Sequence, residues 1–349
     1  FESTAFFEKG GVSIAVIGQH FPYTPIANPS YMVNGWSFGI RPEVLQKNVN
    51  KAKKQGAEIV VLLSHNGFDV DQKLAFMIDG IDVILTGHTH DAIPKGIRIK
   101  DTLLLSSGSH GKYLGRIDLK VKNGKVVDTS SNLIPVFSDI IPPDPDMTKL
   151  INKIRAPYQS ECNRVIGETE TLLYRRGNFN GSWDDVICDT IIRERDTEIS
   201  LSPGFRWGTT LLPGQKITID DIYSQTSMNY PEVYRIEMTG KMIKEILEDV
   251  CDNIFNPDPF FQQGGDMVRV GGLTYTCRPK NKMGNRISNL RIISSDKPLE
   301  SNKNYVVGGW GSVNQNVKGP PIYDLLEKYI SEKKIIKNNN LEAVKIVGM

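Results

Sequence analysis

This chain of 349 residues is poor in cysteine, in long apolar runs and in net charge, and each shortage argues against a class of protein. None of its four cysteines forms a C-x-x-C pair, which argues against zinc-ribbon and thioredoxin chemistry. No run approaches the roughly 18 apolar residues of a membrane span, and no signal-peptide pattern is visible. The net charge of +2 gives no reason to expect a nucleic-acid partner. We therefore expect an ordinary globular protein, long enough for two domains. The sequence does not decide between disulfides and buried thiols, and we expect buried thiols for at least two of the four cysteines (Cys162, Cys188, Cys251 and Cys277).

Apolar segments that alternate with amphipathic ones fill the first part of the chain. They predict strand 11–18, helix 41–56, strand 58–65, helix 69–80 and strand 81–88. Continuous apolar strands separated by helices are typical of a parallel sheet covered on both faces. The proline-rich stretch 21–29 is expected to be irregular. Segments 102–109 and 115–128 are expected to be antiparallel, the second hinged on Asn123-Gly124.

The stretch SDIIPPDPD (138–146) is the clearest linker in the chain. We predict a first domain over 1–132, a connecting segment with a helix over 133–167, and a second domain of mixed α/β character over 168–349. The second domain is expected to fold independently.

Three of the five histidines follow predicted strands. His65 ends the run IVVLLSH, and His88 and His90 belong to ILTGHTHD. Ligands bind at the carboxyl ends of parallel strands, so His65 and His88 should converge to within about 10 Å. His90 should project on the same side but further along, so that the three imidazoles serve two metal ions in one site. Asp91 is placed to orient a ligand. His20 and His110 lack this context and are expected to be ordinary loop histidines.

The segments TGHTHD and SHNG together resemble the calcineurin-like metallophosphoesterases, in their 5'-nucleotidase branch. SLSPGFRWG (200–208) is similar to the substrate loop of that branch, and 217–248 is similar to its following strand and two helices. The resemblance covers nearly the whole chain. It implies an α/β protein, namely the C-terminal half of a metallophosphoesterase β-sandwich flanked by helices, followed by a C-terminal 5'-nucleotidase-type α/β domain.

Three irregular segments resemble one subgroup, the thiosulfohydrolases of bacterial sulfur oxidation: IGQHFPYTPIANP (17–29), YRRGNFNGSWD (174–184) and QQGGDMVRVGG (262–272). This resemblance implies two divalent metal ions, expected to be manganese, with His65 and His88 on one ion and His90 on the other. It implies that Arg206, Arg176 and Arg175 bind the oxyanion. The implied reaction releases sulfate from a cysteine S-thiosulfonate on the SoxYZ carrier protein, in the periplasm.

The family's earlier motifs, Asp-x-His and Gly-Asn-His-Asp/Glu, do not occur in this sequence. By the resemblance they supply a bridging carboxylate, an asparagine ligand and the general acid, so no catalytic acid is assigned here and it is expected upstream of Phe1. The chain alone is therefore expected to bind metal weakly, to lack full activity and to leave its first domain poorly stable.

Two other functions stay open. A periplasmic 5'-nucleotidase would stack its base between two aromatic rings, but Asp266 stands at one of those positions and only Trp310 offers itself for the other. A non-catalytic carrier-docking fragment is the second alternative, which metal content would distinguish from an enzyme.

Overall fold

The structure is a computed structural model that describes residues 2–175, 177–205, 208–228, 230–313, 317–338 and 343–348. The chain divides into two compact units. Unit 1 comprises residues 1–144 and 258–264, and unit 2 comprises 145–257 and 265–349. The segment that we expected to connect two domains therefore divides at Asp144, and seven residues from the second half belong to unit 1.

Unit 1 is built on a six-stranded sheet in the order β1-β2-β3-β4-β6-β5. Its strands are β1 (Thr4–Lys9), β2 (Val12–Gln19), β3 (Ile59–Ser64), β4 (Val83–Thr86), β5 (Ile97–Ile99) and β6 (Thr102–Ser106). Strands β2, β3, β4 and β6 are parallel, while β1 and β5 are antiparallel edge strands. The predicted parallel sheet is confirmed. We expected the segment 102–109 to pair antiparallel. This is correct for the pairing of β6 with β5 but wrong for the pairing of β6 with β4, which is parallel.

Three helices accompany this sheet: α1 (Thr24–Ala27), α2 (Pro42–Lys54) and α3 (Phe68–Met77). Helix α2 begins at the proline, whose fixed φ suits the first helical turn. The proline-rich stretch holds one four-residue helix, α1, where we expected none. A long hairpin follows, β7 (Tyr113–Lys122) and β8 (Lys125–Pro135), and it turns at Asn123-Gly124 as predicted, both residues having positive φ.

One face of the sheet in unit 1 packs against α2 and α3. Ile17, Leu62 and Ile84 are at most 1% exposed there. On the opposite face, Leu63 and Leu85 are 55% and 36% exposed. The same face also holds Leu103 and Leu105, which are at most 4% exposed. The sheet is therefore buried on its first face and partly buried on its second, whereas continuous apolar strands predicted burial on both.

Unit 2 is a mixed α/β unit whose described residues form three sheets, in the orders β12-β17-β10-β13, β11-β9-β18 and β16-β15-β14-β19. Its strands are β9 (Val165–Thr169), β10 (Ile199–Ser202), β11 (Lys216–Thr218), β12 (Tyr234–Thr239), β13 (Arg269–Gly271), β14 (Leu273–Cys277), β15 (Ile287–Ile292), β16 (Lys297–Pro298), β17 (Asn304–Gly309), β18 (Ile335–Ile336) and β19 (Val344–Ile346). Its helices are α4 (Pro145–Arg155), α5 (Gln159–Cys162), α6 (Ser182–Arg195), α7 (Ile219–Thr226), α8 (Gly240–Phe255) and α9 (Ile322–Lys333).

Two apolar clusters form the core of unit 2. One centres on Trp183 of α6, which is fully buried, and the other on Leu247 of α8. All four cysteines are free thiols, and the Sγ atoms of Cys251 and Cys277 lie 3.6 Å apart in the second cluster. Within the described part of the chain, no helix combines the length and apolarity that a membrane crossing needs.

Candidate metal centre and substrate loops

His65 and His88 lie at the carboxyl ends of neighbouring parallel strands. His65 directly follows β3, and His88 comes two residues after β4. Ser64 and Thr86, the last residues of the two strands, are register partners, so the two histidines emerge side by side. Their ring centroids are 5.4 Å apart, inside the limit of about 10 Å set above. The structure thus brings the pair together, and its role in metal binding stays a prediction.

The backbone is unusual where the histidines leave the sheet. His88 and His90 have φ angles of 79° and 62°, in the left-handed region that non-glycine residues seldom adopt. The glycine between β4 and His88, Gly87, is not among the residues with positive φ. Strained backbone of this kind clusters at functional sites.

A buried carboxylate holds the ends of β3 and β4 together. Asp71 of α3 is fully buried and accepts hydrogen bonds from Ser64 Oγ (2.8 Å), Asn66 Nδ2 (3.1 Å) and Thr86 Oγ1. Burial raises the pKa of Asp71 to about 6, although all three donors favour its charged form. Sequence reasoning missed this residue. Its only sequence signal is an acid on the apolar side of a helix that directly follows a strand-end histidine.

An aromatic ring and a third histidine lie beside the histidine pair. The ring of Phe21 lies 4.3 Å from that of His88 and 6.1 Å from that of His65, centroid to centroid. Partial burial lowers the pKa of His65, and His20 lowers it further by charge repulsion. A lowered pKa keeps the imidazole neutral near pH 7, which is the form that binds metal. Phe21 and His20 were not predicted to belong here.

His90 lies beside a different histidine. The rings of His90 and His110 are 5.7 Å apart, so His110, to which we gave no role, belongs to the same end of the sheet. Among the described residues, no three His, Cys, Asp or Glu side chains are gathered closely enough to hold a metal ion.

The donor set can be tested against the implied metal ions. Two neutral imidazoles with centroids 5.4 Å apart fit as shared ligands of one divalent ion. Among the described residues, no third His, Cys, Asp or Glu side chain completes a metal-binding group with them. The described residues therefore supply only some of the ligands of one ion. They also gather no complete set of ligands for the second ion expected on His90.

In unit 2, Arg175 is enclosed by protein. Its side chain is 0% exposed and forms an ion pair with Asp184 at 2.6 Å. It also donates to the carbonyls of Gln225 (2.7 Å) and Pro203 (2.9 Å). The geometry supports a structural role, in which Arg175 ties the loop that contains it to the loop at 203–205. The oxyanion contact expected for Arg175 stays a prediction.

Asp184 extends this network to a third loop. It also pairs with Arg269 at 3.1 Å, and Arg269 pairs with Asp266 at 3.3 Å and donates to the carbonyl of Gly177. The four charged side chains are at most 2% exposed. They join the segments 174–184, 203–205 and 266–269, which belong to three of the motifs singled out in the sequence.

The remaining predicted arginines, Arg176 and Arg206, lie outside the described residues. Their chain neighbours Arg175 and Phe205 are described and contact each other, with the guanidinium 5.7 Å from the ring centroid. Neither candidate stacking position offers an open aromatic face. Asp266 is buried in the ion network, and Trp310 is 3% exposed and donates to Ser202 Oγ at 2.8 Å.

Known proteins resemble this chain over both units. A family model described as 5'-nucleotidase, C-terminal domain, matches residues 165–311. The structure of a Thermus thermophilus sulfate thiohydrolase SoxB in complex with glycerol matches with a TM-score of 0.95 at 35% identity, covering 100% of this chain and 66% of that chain. A 5'-nucleotidase precursor, also from Thermus thermophilus, shares the fold, with a TM-score of 0.82 at 19% identity, over 99% of this chain and 75% of that one. A snake venom 5'-nucleotidase of Gloydius brevicauda is 22% identical over 340 residues, which cover 85% of this chain and 56% of that protein.

The chain belongs to the 5'-nucleotidase branch of the metallophosphoesterases, and the fold class predicted from the sequence is confirmed. Within that branch it resembles SoxB, the sulfate thiohydrolase. It spans about two thirds of the SoxB chain and about half of the snake venom relative.

Proposed function

We propose that this chain is part of a thiosulfohydrolase, a metal-dependent hydrolase that releases sulfate from a cysteine S-thiosulfonate on a carrier protein of the SoxYZ type. The proposal rests on the proteins that it resembles, whose names describe thiohydrolases, phosphoesterases and nucleotidases. Manganese as the metal and the periplasm as the compartment belong to the same proposal.

One observation carries the choice of a sulfonate over a nucleotide. Both positions where a nucleotidase needs an open aromatic ring are closed, since Asp266 is paired with Arg269 and Trp310 is part of a core cluster. Base stacking is worth about 1–3 kcal/mol per ring, so a site without it binds a nucleoside weakly. A sulfonate on a cysteine needs no such ring.

Histidines and arginines have separate tasks in the proposed function. His65 and His88 would hold one divalent ion and His90 the other, and such ions would supply Lewis-acid polarisation of the substrate and activation of water. Phe21 packs on the His88 ring and limits its rotation. Arg206 and Arg176 bind the oxyanion, because the guanidinium fork donates two hydrogen bonds to a tetrahedral oxyanion at once. Arg175 positions the loops that precede both arginines.

A 5'-nucleotidase is the second candidate, favoured by relatives that carry that name over 85% of this chain. Parallel assays on the natural protein with Mn²⁺ separate the two functions. We expect faster sulfate release from a thiosulfonated carrier than phosphate release from AMP. The reverse order of rates would assign the protein to the nucleotidases.

Arg206→Ala tests the oxyanion contact within this proposal. Removing one oxyanion donor is expected to lower the turnover number for sulfate release on the order of 10²-fold, with the thermal midpoint unchanged. Arg193→Ala, at an exposed ion pair with Glu332, is the control and should leave the rate unchanged. Equal rates for Arg206→Ala and the unmodified protein would remove Arg206 from the site.

A further inference from the structure

Residues 258–264, called the strap below, belong to unit 1, although the chain on both sides of them belongs to unit 2. Nothing in the sequence singled out this segment except its overlap with the motif at 262–272. Its contacts in unit 1 reach α3, the loop after β2 and His88.

The strap is anchored at its first three residues. Lys73 Nζ of α3 forms an ion pair with Asp258 at 2.6 Å and lies 4.0 Å from the centroid of the Phe260 ring. The hydroxyl of Tyr23 donates to the Phe260 carbonyl, and the Phe260 ring packs against the core of unit 1. These contacts fix the strap on the sheet end where His88 emerges.

The strap then meets His88 through its backbone. His88 Nε2 is 2.9 Å from the carbonyl oxygen of Gln263. A carbonyl oxygen only accepts hydrogen bonds, so Nε2 carries the proton in this contact. In a neutral imidazole the lone pair is then on Nδ1, which is the nitrogen able to bind a metal ion.

The residue after Gln263 must be small for this contact to exist. Gly264 has a φ of +77°, and a Cβ placed on it would lie 2.5 Å from His88 Nε2 and 2.9 Å from Cδ2. The next residue, Gly265, has a φ of +89° with nothing within 4 Å of its Cβ position. An alanine is therefore strained at both positions, but only at 264 does it collide with the histidine.

We propose that the strap is a positioning element for His88, in which the Gln263 carbonyl fixes the Nε2–H tautomer and leaves Nδ1 as the metal-binding nitrogen. Metal-bound histidines commonly donate their other N–H to a backbone carbonyl or carboxylate, which sets ring orientation and basicity. The inference rests on the proposed function for the metal, but the contact itself is a property of the metal-free chain.

Two measurements on the chain test this inference. The first is the ¹⁵N spectrum of the histidine rings without metal at neutral pH, with His88 assigned by its loss in His88→Gln. We expect His88 to be protonated at Nε2. The second is titration with Co²⁺ as a spectroscopic probe, where Gly264→Ala should weaken binding by about 10–100-fold and Gly265→Ala should change it by less than about twofold.

Protonation of His88 at Nδ1, or equal Co²⁺ affinities for the two alanine variants, would overturn the inference. If Gly264→Ala does not fold, Lys73→Met replaces it, because it releases the strap at its other end without contacting His88. That variant should weaken Co²⁺ binding in the same direction, and an unchanged affinity would count against the strap. The ¹⁵N spectra of the histidine rings need neither metal nor substrate. Their result therefore does not depend on whether the protein releases sulfate.

Discussion

The two units bury charge in opposite ways. In unit 1, the fully buried Asp71 meets three neutral donors at the ends of two adjacent strands. In unit 2, Arg175, Asp184, Arg269 and Asp266 form a buried network of ion pairs that joins three loops distant in sequence. Unit 1 thus presents a site set by local strand geometry, whereas unit 2 presents loops that depend on long-range pairing.

Because of this difference, variants in the two units should affect different parts of the proposed site. A change at Asp71 acts on the strand ends that precede His65 and His88. A change in the ion network acts on the loops that lead to Arg176 and Arg206. Three variants, taken from the largest expected effect to the smallest, sharpen the contrast.

Arg175→Met should cost about 3–5 kcal/mol of unfolding free energy, because it leaves Asp184 buried with half of its charge partners removed. Arg155→Met breaks an exposed ion pair with Asp220 in the same unit and should cost about 0–1 kcal/mol. Urea unfolding of both variants measures the difference. Similar losses in the two would mean that burial does not distinguish these pairs.

Asp71→Asn should change how stability depends on pH. Burial raises the pKa of Asp71 from 3.8 to about 6, so between these values the folded chain keeps a proton that the unfolded chain releases. The stabilisation is full below about pH 4 and is lost as the pH rises through 6, a change on the order of 3 kcal/mol.

The stability difference between the unmodified chain and Asp71→Asn should therefore shrink as the pH rises from 4 to 7 by about that amount. Thermal unfolding across this range measures it, with the exposed Asp79→Asn as the matched control. A constant difference across the range would show that Asp71 is not the buried titrating group.

The helix caps give the smallest effect. Helix α7 of unit 2 begins with a capping box in which Thr218 and Asp221 exchange hydrogen bonds, whereas α2 and α3 of unit 1 have no side-chain N-cap. Thr218→Ala should cost about 1 kcal/mol and Thr218→Ser should restore most of it. Unfolding free energies measure both. Equal losses in alanine and serine would mean that the hydroxyl does not cap the helix.

Sequence patterns predicted the parts of the fold that depend on neighbours along the chain. Strands β2, β3 and β4, helix α2 and the Asn123-Gly124 hairpin follow from apolar periodicity and turn residues. The closeness of His65 and His88 follows from strand ends alone.

The features that sequence reasoning missed depend on distant partners. The parallel pairing of β6 is set by its place beside β4, which the segment itself does not encode. Arg175, Asp184 and Arg269 all stand in the quoted motifs, but the sequence alone does not show that they pair with one another. The strap reaches His88 across 175 residues, and its contact uses a backbone carbonyl that carries no sequence signal.

The histidine pair is the centre of this account, and metal titration tests it most directly. We expect the chain to bind Co²⁺ or Mn²⁺ at His65 and His88, with binding lost in His65→Ala and in His88→Ala and retained in His110→Gln. Circular dichroism and thermal midpoints establish that each variant is folded. Binding by folded His65→Ala and His88→Ala at the strength of the unmodified chain would contradict the metal centre proposed here.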